Sequence, residues 1–184
     1  GVPRDGGRPG ATAGEGGRGW ADPGPPAAYL DPHRGGRVRA ATLYSSPLRR
    51  RECSLDADGG GAVVVTTEAV AASTPKAPVW VLGHGESHTH LTIASMPDLT
   101  VTPAALSGPE AMGMAGVTHA DLDVGELSDS FTITVIETLE SLGFCAPGEG
   151  GAFVRCQRTA PGCDSPLTTQ SAGLAAYLRR RHGT

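Results

Sequence analysis

Apolar positions in this chain fall in short runs cut by glycine and proline, and their spacing changes from continuous stretches to a helical period in the second half. Ala62-Val63-Val64-Val65-Thr66-Thr67 follows the turn Asp58-Gly59-Gly60-Gly61 and, being β-branched, predicts a buried strand. Thr67 is placed to cap a short helix over Glu68 to Ala72, with the glutamate near the positive end of the dipole. Ser73 to Pro78 breaks that helix, and Val79-Trp80-Val81-Leu82-Gly83 follows as a second strand. Strand, helix and strand in that order predict an α/β architecture.

Farther on, Thr102-Pro103 supplies a capping residue and then proline at the first helical position, so a helix is expected to run to Ala115 and stop at a left-handed Gly116. Pro109 predicts a kink or a late start. Thr118-His119-Ala120-Asp121 resembles a capping box with aspartate in place of glutamate, enough for one short turn. Leu122 to Leu127 reads as a short strand or an extended entry to the next element. The clearest element is 128–143, capped by Ser128 or Asp129, with Phe131, Val135, Leu139 and Leu142 on one face. Gly143 ends it and Phe144 folds back as the apolar partner of the glycine cap. Ala146 to Gly151 is a turn, Ala152 to Arg155 a last short strand, and Leu174 to Arg181 an uncapped helical turn.

Composition divides the chain. Of its 184 residues, 27 are Gly and 15 Pro, and the excess of Gly and Arg sits in the flanks. Residues 1–45 are low in complexity, lack apolar periodicity, and cannot bury enough surface to offset the entropy of ordering them. They are expected to be disordered. A functional basic arm is the alternative, and a GC-rich segment read in another frame would look the same. Residues 46–155 carry the text of a folded unit, and 156–184 form a divergent tail. The net charge of −4 splits into +5 over 1–51, −12 over 52–155 and +3 over 156–184. An acidic middle repels polyphosphate, which argues against nucleic acid. No window reaches the roughly 18 apolar residues a membrane span needs. Cys53, Cys145, Cys156 and Cys163 lack a CxxC pair and no signal segment precedes them, so reduced thiols and a cytoplasmic location are expected.

Candidate chemistry is sparse. His84, His88 and His90 with Glu86 could gather a metal, but spacings of four and two beside Gly83 and Gly85 fit neither a helical pair nor a zinc finger, so a plain loop without metal is expected. His119 reads as an exposed residue at the start of a turn. None of the cysteines lies at a helix N-terminus or next to a base, and Cys145 follows a helix C-terminus, where the dipole disfavours a thiolate. Asp129 stands at a helix start, where free amides stabilise an acid that can orient its neighbours; a simple cap is the other reading.

The phrases Ala115-Gly116-Val117-Thr118-His119-Ala120-Asp121-Leu122-Asp123, Leu127-Ser128-Asp129-Ser130-Phe131-Thr132-Ile133 and Leu139-Glu140-Ser141-Leu142-Gly143-Phe144-Cys145-Ala146-Pro147-Gly148-Glu149-Gly150-Gly151 resemble the thiolase superfamily. The similarity is to its lipid-transfer, sterol carrier protein x-type branch, often labelled acetyl-CoA acetyltransferase. Pro47 to Cys53, Asp58-Gly59, Ala62 to Val65, His88-Thr89-His90 and Met96 to Thr100 fit the same branch, so the resemblance covers about 46–155. It implies part of a layered αβαβα fold, usually homodimeric, whose substrate is a coenzyme A thioester. A nucleophilic cysteine in the N-terminal half takes the acyl group, a later Asn- or His-bearing motif shapes an oxyanion hole, and a C-terminal Gly-His-Pro supplies a base.

This chain departs from that pattern at each catalytic point. It holds no counterpart of the cysteine-bearing half. Ser128 stands where relatives carry His or Tyr, Pro166 to Gly173 only faintly echoes the family's Asn-Thr-x-Gly-Gly, and His182 lacks the Gly-His-Pro setting. Ser128 and Asp129 are the residues expected to contribute to a site, in a C-terminal-half portion inactive by itself. The alternatives are a non-catalytic acyl-CoA or lipid-binding subunit, or a subunit of a steroid side-chain retro-aldolase working with a DUF35-type OB-fold partner.

Overall fold

The structure is a computed structural model that describes residues 35–54 and 63–155. Its elements are α1 (Gly35–Arg39), β1 (Leu43–Ser45), β2 (Leu48–Arg49), α2 (Glu68–Ala71), α3 (Ala104–Ala115), α4 (Thr132–Ser141) and α5 (Gly150–Phe153). β1 and β2 pair antiparallel around a turn with a cis Ser46-Pro47 peptide. Both α1 and β1 fall within the stretch expected to be low in complexity.

Helices α3 and α4 carry the fold, and both end in the same device. At the end of α4 the Phe144 amide donates to the Leu139 carbonyl at 3.0 Å and the Gly143 amide to the Glu140 carbonyl at 3.1 Å, with Gly143 at φ 81°. At the end of α3 the Val117 amide donates to Met112 and the Gly116 amide to Gly113, with Gly116 at φ 69°. Two carbonyls are thereby satisfied at each end, and only glycine adopts that backbone without strain.

The starts lie later than expected. Pro103 rather than Thr102 is the N-cap of α3, and the helix runs through Pro109. The Thr102 amide instead donates to Ser141 Oγ at 2.9 Å, tying the start of α3 to the end of α4. Phe131, rather than Ser128 or Asp129, is the N-cap of α4. The reason is pairing: the Ser54 amide donates to the Ser130 carbonyl at 2.8 Å and Cys53 bridges Phe131 antiparallel, which holds 130–131 extended. The buried face of α4 is therefore Thr132, Val135, Ile136 and Leu139, while Phe131 is part-exposed.

Leu139, Val135 and Val154 form the core, with Leu127, Phe144, Cys145 and Phe153 packed against it. The segment expected as a strand at 152–155 is the end of α5 and the turn after it. A helix forms there because Glu140 Oε1 accepts the Gly150 amide at 2.8 Å and the absent side chain of Gly150 admits Ile136 and Glu140. Thr132 is fully buried and its hydroxyl has no partner among the described residues. Thr132→Val keeps the shape and removes the stranded polar atom, so it is expected to raise stability by about 1–2 kcal/mol in urea unfolding.

The expected strands at 62–67 and 79–83 are absent among the described residues, while 122–127 is a non-helical entry to α4 with a single bridge residue at Gly125. Neither has a ladder partner among the described residues, and their valines lie open to solvent. Part of the second region still has a defined place. Gly83 faces Ala111 and Ala115, Gly85 faces Ser107, and the Ser87 hydroxyl donates to the Pro103 carbonyl at 2.6 Å. The segment thus climbs α3 antiparallel at two residues per helical turn. Two extended residues reach about 6.6 Å, close to one turn of roughly 5.4 Å. A Cβ at Gly83 or Gly85 would collide with backbone oxygen, so only glycine allows so close an approach.

Candidate active site

The loop ahead of α4 holds the two residues singled out from sequence. Asp129 is buried at 7% exposure, while Ser128 is exposed. The loop is anchored on one side by the helix beginning at Thr132 and on the other by the pairing of Cys53–Ser54 with Ser130–Phe131. That pairing has no local sequence signal, because the two segments lie far apart in the chain. Beside it opens a cavity of about 540 Å³ lined by Thr42, Leu43, Tyr44, Arg50, Cys53, Ser54 and Phe131. Its walls are mostly apolar, with one guanidinium.

Cys53 lies at the inner edge of this cavity but has the chemistry of a structural thiol. Burial raises its pKa, the neighbouring Glu52 carboxylate raises it further, and the thiol donates to the Arg49 carbonyl at 3.4 Å. Glu52 is itself buried; burial raises its pKa against the pull of the Arg49 amide, which donates to Oε2 at 2.9 Å. Cys145 is pushed up to about 11 by burial and by the carboxylates of Glu140 and Glu149. Neither thiol ionises appreciably near neutrality, and a thiolate is what attacks an acyl group. Cys156, Cys163 and His182 lie outside the described residues, as do Pro166 to Gly173 and Leu174 to Arg181.

A raised folded-state pKa favours the protonated thiol, so Cys145 adds stability that is fully present below its ordinary 9.0 and lost as pH rises through about 11. Melting temperature is accordingly expected to fall more steeply between pH 9 and 11 in the natural chain than in Cys145→Ser. Alkylation of Cys145 by iodoacetamide at pH 8 is expected to lag well behind that of a free cysteine. Rapid alkylation in the folded chain would contradict the protected thiol.

The histidines serve loop structure. His84, Glu86 and His88 alternate with the small residues that meet α3 and so project outward. His88 Nε2 donates to Glu86 Oε1 at 2.9 Å, an exposed pair. His90 Nδ1 pairs with the Thr89 hydroxyl at 2.7 Å. Among the described residues no group of three or more His, Cys, Asp or Glu side chains is arranged to hold a metal. His119 is exposed and opens a short turn, whose Asp121 carboxylate accepts from the Thr118 amide and hydroxyl at 2.8 and 2.7 Å. It also does something spacing does not reveal: Nε2 donates to the Leu142 carbonyl at 2.7 Å while the ring stands edge-on to Phe144, with centroids 4.8 Å apart. It closes the end of α4.

No helix among the described residues is long and apolar enough to cross a membrane. A family model described as thiolase C-terminal domain-like matches residues 85–179. An acetyl-CoA acetyltransferase of Methanothermobacter thermautotrophicus is 31% identical over 141 residues, covering 76% of this chain and 37% of that protein. A 17-hydroxy-3-oxo-4-pregnene-20-carboxyl-CoA lyase of Mycobacterium tuberculosis is 32% identical over 145 residues, covering 76% and 38%. The chain thus spans well under half the length of these relatives. Among solved structures, one called Ltp2-ChsH2(DUF35) aldolase matches with a TM-score of 0.80 at 22% identity, over 94% of this chain and 46% of that one. That likeness speaks for the fold, which is a partial α/β thiolase-like one. With a family model covering half the chain and relatives above 30% identity, the chain belongs to the thiolase family by way of its C-terminal domain-like region.

Proposed function

We propose that this chain supplies one part of a thiolase-type acyl-CoA C-acyltransferase, which makes or breaks a carbon–carbon bond beside a coenzyme A thioester. The observation that carries the reading is the anchored loop at 128–131, which buries Asp129, exposes Ser128 and adjoins a cavity with apolar walls and the Arg50 guanidinium. Such a cavity suits an acyl group on a phosphorylated carrier. Asp129 holds the loop, and the Ser128 hydroxyl donates a hydrogen bond to the oxygen that gains charge when the bond beside the thioester breaks. Burial raises the pKa of Cys53 and of Cys145, which suits neither as a nucleophile, and the family resemblance puts the acyl-accepting cysteine in the N-terminal half of the fold. The chain by itself is inactive, works in the cytoplasm, and assembles as thiolases do, as a dimer.

A second reading has its own support. Relatives include the CoA lyase above and a steroid side-chain-cleaving aldolase of Thermomonospora curvata, 30% identical over 143 residues. In that case the substrate is a steroid side-chain acyl-CoA and the partner a DUF35-type protein. A non-catalytic acyl-CoA or lipid-binding subunit is the remaining alternative.

Acetyl-CoA-dependent thiolysis, measured with the purified chain and again with the product of a neighbouring gene added, tests these readings. Turnover only in the mixture supports the split acyltransferase. Turnover by the chain alone overturns its incompleteness. Cleavage of a steroid acyl-CoA without thiolysis would select the aldolase, and acyl-CoA binding with neither activity would select the binding subunit.

A further inference from the structure

Glu52 is 6% exposed, and the chemistry proposed above makes no use of it. Its carboxylate closes the turn 49–52, where Oε2 accepts the Arg49 amide at 2.9 Å. The same turn is tied to the hairpin: the Arg50 amide donates to the Thr42 carbonyl at 2.9 Å and Arg49 Nη1 to the Ala41 carbonyl at 2.8 Å. Directly after Glu52, Cys53 bridges Phe131 and the Ser54 amide donates to the Ser130 carbonyl at 2.8 Å. Arg50, Cys53, Ser54 and Phe131 all line the cavity, whereas Glu52 is not among its lining residues. Burying a carboxylate is costly, so one that stays buried must have its hydrogen bonds made.

We propose that Glu52 is a positioning residue for the loop 128–131: by closing the turn 49–52 it sets how firmly Cys53–Ser54 holds Ser130–Phe131. The inference rests on reading that loop as the site, and it adds a residue that acts through the pairing rather than on the substrate. The lever is short. Ser54 follows Glu52 by two residues, so loosening of the turn reaches the pairing with no element in between. The Cys53 thiol reinforces the turn by donating to the Arg49 carbonyl at 3.4 Å. Burial raises the Glu52 pKa above its ordinary 4.5, against the Arg49 amide and guanidinium, which lower it. The other charged or titratable groups on the elements around the turn are Arg37 and Arg39 of α1, Tyr44 of β1, Arg50 and Arg51 of the turn itself, and Asp129 of the loop. An opened turn returns the carboxyl to water and to its ordinary value, so the closed turn binds the proton more tightly. By linkage its hold is firmest below 4.5 and weakens as pH rises through the raised value.

The test uses the full 184-residue chain and reads hydrogen-exchange protection of the Ser54 amide, with the intrinsic pH dependence of exchange divided out and α4 as the internal control of folding. In the natural chain Ser54 protection is expected to fall at least about threefold from pH 4 to pH 7 while α4 holds. Glu52→Gln keeps an acceptor for the Arg49 amide without the charge. Its Ser54 protection is expected to be flat over that range, at the level the natural chain reaches in acid. Glu52→Ala removes the acceptor and is expected to lower protection at Ser54 at least about fivefold, again with α4 unchanged. Three results would overturn the proposal: unchanged Ser54 protection in Glu52→Ala, a pH dependence that survives in Glu52→Gln, or losses of equal size at Ser54 and α4. Should Glu52→Ala fail to fold, the pH profile of Glu52→Gln decides alone. Exchange is read without turnover, so absence of thiolysis leaves the positioning role standing, and failure of the positioning role leaves the acyltransferase reading standing.

Discussion

Replacing Leu139 with alanine is expected to cost about 2–5 kcal/mol, the most damaging single truncation in the described region. Leu139 is 0% exposed and sits between Val135 and Val154, with Phe144 and Phe153 against the same cluster. Few side chains are buried as deeply: of the large ones among the described residues, only Val38, Val154 and Thr132 join Leu139 below 2% exposure. Small domains have only about 5–15 kcal/mol to lose, so a cavity here removes much of the total. Urea unfolding followed by helical circular dichroism gives the measurement. Leu106→Ala, on the exposed side of α3 at 61%, is the contrast and is expected to change stability by less than about 0.5 kcal/mol. Equal effects at the two positions would show that the core has been misplaced.

On the proposed acyltransferase reading, Ser128→His in the complex with its complementing partner is expected to raise kcat by about 10²-fold with little change in KM. A hydroxyl donates a hydrogen bond but cannot act as a base near neutrality, whereas an imidazole does both. Ser128 is exposed, so the larger ring meets no packing penalty, and buried Asp129 beside it keeps the loop in place. The family resemblance sharpens the expectation, since it implies His or Tyr at this position. Ser128→Ala is the matched control, and a modest loss is expected from the missing donor. If histidine and alanine give the same kcat, position 128 lies away from the reacting atoms. A pH–rate profile adds a readout that mere repacking would not produce, because only the histidine variant gains a titration in the neutral range.

Local signals carried the helices well. The proline at the start of α3, the glycines after both long helices and the Thr118–Asp121 turn are each written in a few adjacent residues, and each appears where expected to within a residue or two. Failures came where the outcome depends on distant or missing partners. Ser128 and Asp129 look like caps of α4, yet pairing of 130–131 with Cys53–Ser54 delays the helix, and no spacing rule reaches that far along the chain. The runs at 62–67 and 79–83 have the right residues for strands, but a strand needs a ladder and the described residues offer none. The last predicted strand became α5 because one carboxylate, Glu140, accepts an amide at its start. For the proposed site, the sequence singled out Ser128 and Asp129 as candidates, while the cavity beside their loop was not visible in it, because its walls come from both segments.

The climb of 83–87 along α3 also sets how this region tolerates changes in length. Small residues meet the helix at every second position, and the outward residues that alternate with them are His84, Glu86 and, just past Ser87, His88. Inserting one residue after Gly83 would swap the two faces and drive imidazole and carboxylate into the backbone of α3. Two inserted residues would restore the parity and shift the contacts by about one helical turn. Length variation here should therefore come in even steps, a constraint that point substitutions never reveal.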